Sequence, residues 1–221
     1  MREIDRIAIE SGLSLLQMME NAGIRLSEVA WNVLELRPGC PVVVFVGGGN
    51  NGGGALAAAR HLANRGVAVT VVPDRPPSDL ADAARSQLGI LERAHVPISL
   101  EPPSTPEAII DGLIGYGLRG NPQDQTAALI EWANVSGLPV CSLDLPSGLD
   151  ANTGMPGTPC MRASITLTLA LPKTGLLSPT ARGVTGTLLL ADISIPARIY
   201  ESLGLARPDA FGASPVVQIA G

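Results

Sequence analysis

The sequence predicts an α/β fold: a Rossmann-like three-layer α/β/α sandwich around a mostly parallel, doubly wound sheet. Three observations carry that prediction. Short apolar runs alternate with helical patterns along the chain, and the loops between them are a few residues long, as in successive βα units. Hydrophobic residues make up 46% of the 221 positions but aromatics only 3%. The core must therefore be aliphatic, which suits strands covered on both faces.

The elements follow in order. Ile4, Ile7 and Ala8, then Leu15, Leu16 and Met19 after Ser11-Gly12, recur at helical spacing. Two helices are expected up to about Glu35, closed by Arg37-Pro-Gly39. The run 41–46 (PVVVFV) reads as a central strand. The glycine-rich stretch 47–54 reads as a turn, followed by a helix over 55–63. Further strands are expected at 67–72, 96–100, 107–114, 139–143, 165–169 and 187–191, with helices at 78–93 and 123–135. With no repeat or linker, the chain reads as a single domain over 1–221: N-terminal helices to 36, a core over 41–195, and a loosely ordered tail over 208–221.

Composition narrows the function. The net charge of -5, with Lys173 the lone lysine and the arginines scattered, argues against a nucleic-acid partner. Three separated cysteines and two histidines provide neither a disulfide framework nor a zinc site. The N-terminus is charged at once, unlike a signal peptide, and no apolar run approaches the roughly 18 residues of a membrane span. A cytoplasmic location is the expectation.

Three unusual segments follow expected strands, so they should share the edge where ligands bind in such folds. The first, Gly47 to Gly54, fits G-x-G-x-x-G, and Asp74 lies where a ribose-binding acid would. Glycines there let backbone N–H groups approach a diphosphate at a helix start, although a tight strand-to-helix turn also uses glycine. Asn50 and Asn51 add amide donors and acceptors that a simple turn does not need. The second segment starts at Asp111, a charge inside an apolar strand that wants a cation, an arginine or several donors; a loop-capping role is the alternative. The third contains Asp144 and the turn Pro146-Ser147-Gly148. A carboxylate facing a glycine-rich pocket can act as general acid or base, or it can serve the turn alone.

Together, residues 19–23 (MENAG), 49–53 (GNNGG) with 58–62 (AARHL), 111–121, 143–150 (LDLPSGLD) and 171–176 (LPKTGL) resemble the motifs of the YjeF-type N-terminal domain family, the NAD(P)H-hydrate epimerases. They occur in the family's order over nearly the whole chain. The resemblance implies epimerisation of hydrated NADH and NADPH at C6 of the damaged ring, and passage of the S epimer to a separate dehydratase, for whose domain 221 residues leave no room. C6 bears a hydroxyl beside the ring nitrogen. Protonating it lets water leave to form an iminium ion, and water returning to the other face inverts the centre. By the same resemblance Asp144 is the catalytic residue. Asn50, Asn51, Gly52, Gly53 and Gly54, with Gly115, Tyr116, Gly117, Leu118, Arg119, Gly120 and Asn121, form the substrate loops, which Asp144 also joins. Asn51, Asp111 and Ser147 match a potassium site, and a homodimer is implied, with the Met18-Met19 face contributing.

Two departures from the family pattern stand out, in the loop at 54–55 and at 116. Gly54 and Ala55 stand where Asp and Gly are usual, and Tyr116 where threonine or phenylalanine is more common. The missing carboxylate predicts slow turnover with binding retained, relieved by Gly54→Asp with Ala55→Gly. The rival readings are a non-catalytic nucleotide-binding or scaffold domain of the same family and, from the glycine motif alone, a dehydrogenase.

Overall fold

The computed structural model describes residues 1–219. Helices α1 (Arg2–Glu10) and α2 (Leu15–Val33) precede β1 (Pro41–Val46), and α3 (Asn50–Asn64) leads to β2 (Ala68–Pro73). Then come α4 (Asp82–Arg93), β3 (Ala108–Gly112), α5 (Asp124–Ser136), β4 (Val140–Leu143), β5 (Ile165–Leu169), α6 (Arg182–Thr185), β6 (Thr187–Ala191), α7 (Ala197–Ser202) and β7 (Val216–Gln218).

The strands form one sheet in the order β2-β1-β3-β4-β5-β6-β7. All neighbours are parallel except β6 and β7. Alternate side chains of β1 divide the core, as the two-residue period of a strand requires. Val42, Val44 and Val46 meet α2, α3 and α4 on one face, whereas Val43 and Phe45 meet Leu129, Ile130 and Ala133 of α5 on the other. Phe45 makes an edge contact with Trp132 at 5.8 Å between ring centroids. The chain reverses its lateral direction between β1 and β3, and such a switch point opens a crevice at the carboxyl ends of the strands.

Several elements depart from the sequence expectation. α3 starts at Asn50, so most of the expected glycine turn is the first turn of a helix. Glycine inside a helix costs roughly 1 kcal/mol relative to alanine, and close packing explains it here. A Cβ on Gly52 would lie 1.9 Å from the Gly47 carbonyl, and one on Gly53 would lie 2.5 Å from Met19 Cε. The expected strand at 96–100 shrinks to a single bridge between Val71 and Ile98. The expected helix at 78–93 breaks into a 3-10 turn at Pro77–Asp79 and α4.

The tail expected to be loose instead adds β7 to the edge of β6, pairing Leu190 with Val217, and buries Phe211. An unpaired sheet edge offers backbone partners that the sequence pattern does not register; residues 220 and 221 lie outside the described residues. Met18 and Met19 are 5% and 3% exposed within the chain itself. These two side chains point into the chain's interior and its adjoining cavity, not onto its outer surface. No helix among the described residues is long and apolar enough to cross a membrane.

Candidate active site

The segments leaving β1, β3 and β4 come together at the switch point around a cavity of about 460 Å³, a size usual for a small-molecule site. Asn50, Asn51 and Gly54 line it from α3, Gly115, Tyr116 and Gly117 from the loop after β3, and Asp144 from the end of β4. The first turn of α3 is capped by Gly49, whose lack of a side chain leaves its N–H groups open. The N-terminal region adds Met1, Arg2 and Asp5. A second cavity of about 500 Å³ adjoins the first, sharing Arg75, Ile114 and Gly117, and is lined by Leu118, Arg119, Gly120 and Asn121.

Asp144 is 4% exposed, and its backbone has φ of +68°. That left-handed conformation is uncommon outside glycine, though aspartate tolerates it better than most residues. The surroundings fix it: the Asp144 N–H donates to the Leu167 carbonyl at 2.8 Å. The side chain is held from two sides, with Oδ2 accepting from the Tyr116 N–H at 3.1 Å and Oδ1 forming an ion pair with Lys173. Lys173, itself 6% exposed, also donates to Thr168 Oγ1 at 3.1 Å and the Leu169 carbonyl at 2.9 Å. Gly115 leaves room beneath this group, because a Cβ there would sit 3.0 Å from Asp144 Oδ2 and 3.1 Å from Asn51 Oδ1 and crowd both side chains. Asn51 and Asp144 thus close over the same glycine. The Asn51 Nδ2 atom is buried without a hydrogen-bond partner, which is costly unless a ligand supplies an acceptor.

Asp111 is fully buried one strand away. Its Oδ1 accepts from Ser147 Oγ at 2.6 Å and the Leu113 N–H at 3.2 Å. Its Oδ2 accepts from Ser142 Oγ at 2.8 Å and the Ser147 N–H at 2.9 Å. Burial pushes the carboxyl above the usual aspartate range, and these hydrogen bonds pull it back. Of the partners the sequence allowed, several neutral donors are what the fold provides. They spread the charge without cancelling it, so a monovalent cation among hard oxygens suits the site. Ser147 Oγ also accepts from the Ile114 N–H at 2.8 Å. An ion would share oxygens with the donors in place, because the four lone-pair directions of the carboxylate are already used.

Other expected site residues are engaged differently. Gly52 and Gly53 face the interior of α3's packing rather than the cavity. The Asn121 Oδ1 accepts from the Thr158 N–H at 3.0 Å and pins a loop. Asp74 does not await a ribose: it accepts from Arg75 Nε at 2.7 Å, Arg75 Nη2 at 3.0 Å and Thr126 Oγ1 at 2.5 Å. Lys173, Asp5 and Arg75 had no site role from the sequence. Lys173 could have been noticed as a lone lysine within one of the matching segments. Asp5 looks like any polar residue of an amphipathic helix.

The family described as YjeF-related protein N-terminus matches residues 15–175. An NAD(P)H-hydrate epimerase from Dehalogenimonas lykanthroporepellens is 46% identical over 214 residues, covering 93% of this chain and 84% of that protein. A bifunctional NAD(P)H-hydrate repair enzyme Nnr from Moorella thermoacetica is 34% identical; the match spans 91% of this chain and 41% of that longer protein. The crystal structure of yeast YNL200c superimposes with a TM-score of 0.84, covering 99% of this chain and 96% of that one at 23% identity, a likeness of fold.

Proposed function

Because the chain belongs to the YjeF-related N-terminal family, we infer that it is an NAD(P)H-hydrate epimerase, an isomerase that interconverts the R and S forms of hydrated NADH and NADPH. The observation that carries this reading is Asp144 at the cavity wall, held in place by Lys173 and the Tyr116 N–H. Loss of the C6 hydroxyl as water needs a proton at that oxygen, and a fixed carboxyl group exchanges one efficiently.

On this reading the damaged ring lies against Asn51, Gly115 and Asp144. The open N–H groups of α3 face the diphosphate, and the remainder of the dinucleotide extends towards Arg75 and Arg119. Asn51 would use its free amide on the substrate. Potassium is the cation assigned to Asp111, with Ser147 and Asn51 as further oxygen donors; when bound it would neutralise the buried charge beside the substrate. A cytoplasmic location, a homodimer built on a surface other than Met18-Met19, and a separate dehydratase that consumes the S epimer complete the proposal. The 46% identity to a protein named NAD(P)H-hydrate epimerase favours this reading over a binding-only domain.

The test supplies mixed epimers and a dehydratase specific for S, then follows consumption of the R form. The chain should accelerate that consumption, and Asp144→Asn should remove the acceleration. R consumption no faster than in buffer would refute the proposal.

A further inference from the structure

The cavity contains a second carboxylate. Asp5 of α1 lines the same cavity as Asp144, and Tyr116 connects the two. Its N–H donates to Asp144 Oδ2 at 3.1 Å, and its hydroxyl donates to Asp5 Oδ2 at 2.5 Å. Helix α1 is held there by Ile4 and Ala8, which pack in one cluster with Ile199 and Tyr200 of α7. Building on the epimerase reading, we propose that Asp5 is a second catalytic residue, exchanging protons on the face of the ring opposite Asp144.

The reaction calls for two such groups. One carboxyl group, having first taken a proton from solvent, gives that proton to the C6 hydroxyl; the C6–O bond breaks, its electron pair leaves with the water, and the ring nitrogen's lone pair forms the C=N bond. Another water then attacks from the opposite face. As the new C6–O bond forms, the C=N pair returns to nitrogen and a proton passes from that water to the other carboxylate. One water has left, one has entered, and one proton has moved between carboxyl groups, which exchange with solvent resets. The reverse reaction swaps the roles.

A carboxyl group on one face cannot reach both waters. Inverting glycosidases, which also pass through a cation adjacent to a lone-pair donor, set their carboxyl groups about 6.5–9.5 Å apart for this reason. Tyr116, with its own N–H at one carboxylate and its phenol at the other, stands between the two groups and keeps them apart. Tyrosine at this position, in place of the family's smaller or hydroxyl-free residues, thereby acquires a purpose. Asp5 and Gly54 line the same cavity, so a second carboxylate is present there although position 54 is glycine.

Asp5→Asn keeps the shape and an acceptor for the Tyr116 hydroxyl. Its kcat for R-to-S conversion should fall roughly 10²–10⁴-fold while KM changes a few-fold at most. In Asp5→Ala, added formate should restore part of the lost rate in a saturable manner, which a residue that merely positions α1 would not permit. An Asp5→Asn kcat within a few-fold of wild type would overturn the inference. So would a folded, substrate-binding Asp5→Ala protein that formate does not revive. A wild-type protein without epimerase activity would instead remove the underlying reading.

Discussion

Replacing Lys173 with methionine removes one half of a buried ion pair and keeps most of the volume. Both side chains of the pair are 5% exposed, so Asp144 would be left with the Tyr116 N–H as its protein donor. Breaking a buried pair from one side costs about 3–5 kcal/mol. Asp144 borders an open cavity through which water can reach it, so the lower end, about 3 kcal/mol, is expected. That is a large share of the roughly 5–15 kcal/mol by which folded proteins exceed their unfolded chains. Urea denaturation at neutral pH measures it as a lowered midpoint with an unchanged slope. Adding Asp144→Asn should recover part of the loss, so the two single effects sum to more than the double by about 1 kcal/mol or more. Effects additive within about 0.5 kcal/mol would mean the pair is not coupled, and the account of how Asp144 is held would fall.

Potassium should raise the melting temperature relative to choline chloride at equal ionic strength, and Asp111→Asn should abolish the rise. Burial raises the Asp111 carboxyl above its ordinary value of 3.8, so its proton competes with the ion. The potassium effect is therefore present at neutral pH and fades as pH falls through that raised value; an effect unchanged in acid would exclude Asp111 as a ligand. Burial pushes the thiols of Cys141 and Cys160 up to about 12, and Cys40 is raised as well. Native protein at pH 8 should resist alkylation and react at all three cysteines only when unfolded; rapid labelling of the native chain would contradict their burial. Gly54→Asp places a Cβ 2.9 Å from Leu143 Cδ2 and 3.7 Å from Ala22 Cβ. Crowding of this kind costs about 1–3 kcal/mol, read as a lower denaturation midpoint, while kcat should change by a few-fold at most because Asp5 already gives the cavity a second carboxylate.

The aliphatic runs and their spacing sufficed for the layered architecture and for β1 through β6, because hydrophobic periodicity records which faces must be buried. Motif positions after strands also sufficed to bring Asn51, Asp111, Asp144 and Ser147 to one edge, since parallel strands share a direction. Tertiary packing decided the rest. Gly52 and Gly53 read as phosphate-loop glycines, yet a Cβ at Gly52 would run into the Gly47 carbonyl and one at Gly53 would displace the tip of Met19. Asp74 read as a free acid until Arg75 and Thr126 claimed it. The tail read as loose because three residues of strand signal little until an edge is present to pair with them. Lys173 meets Asp144 across 29 residues of sequence, and Asp5 meets Tyr116 across 111. Local pattern cannot specify such pairings. They exist because the folded core brings distant backbone segments together and leaves a buried charge no nearer partner.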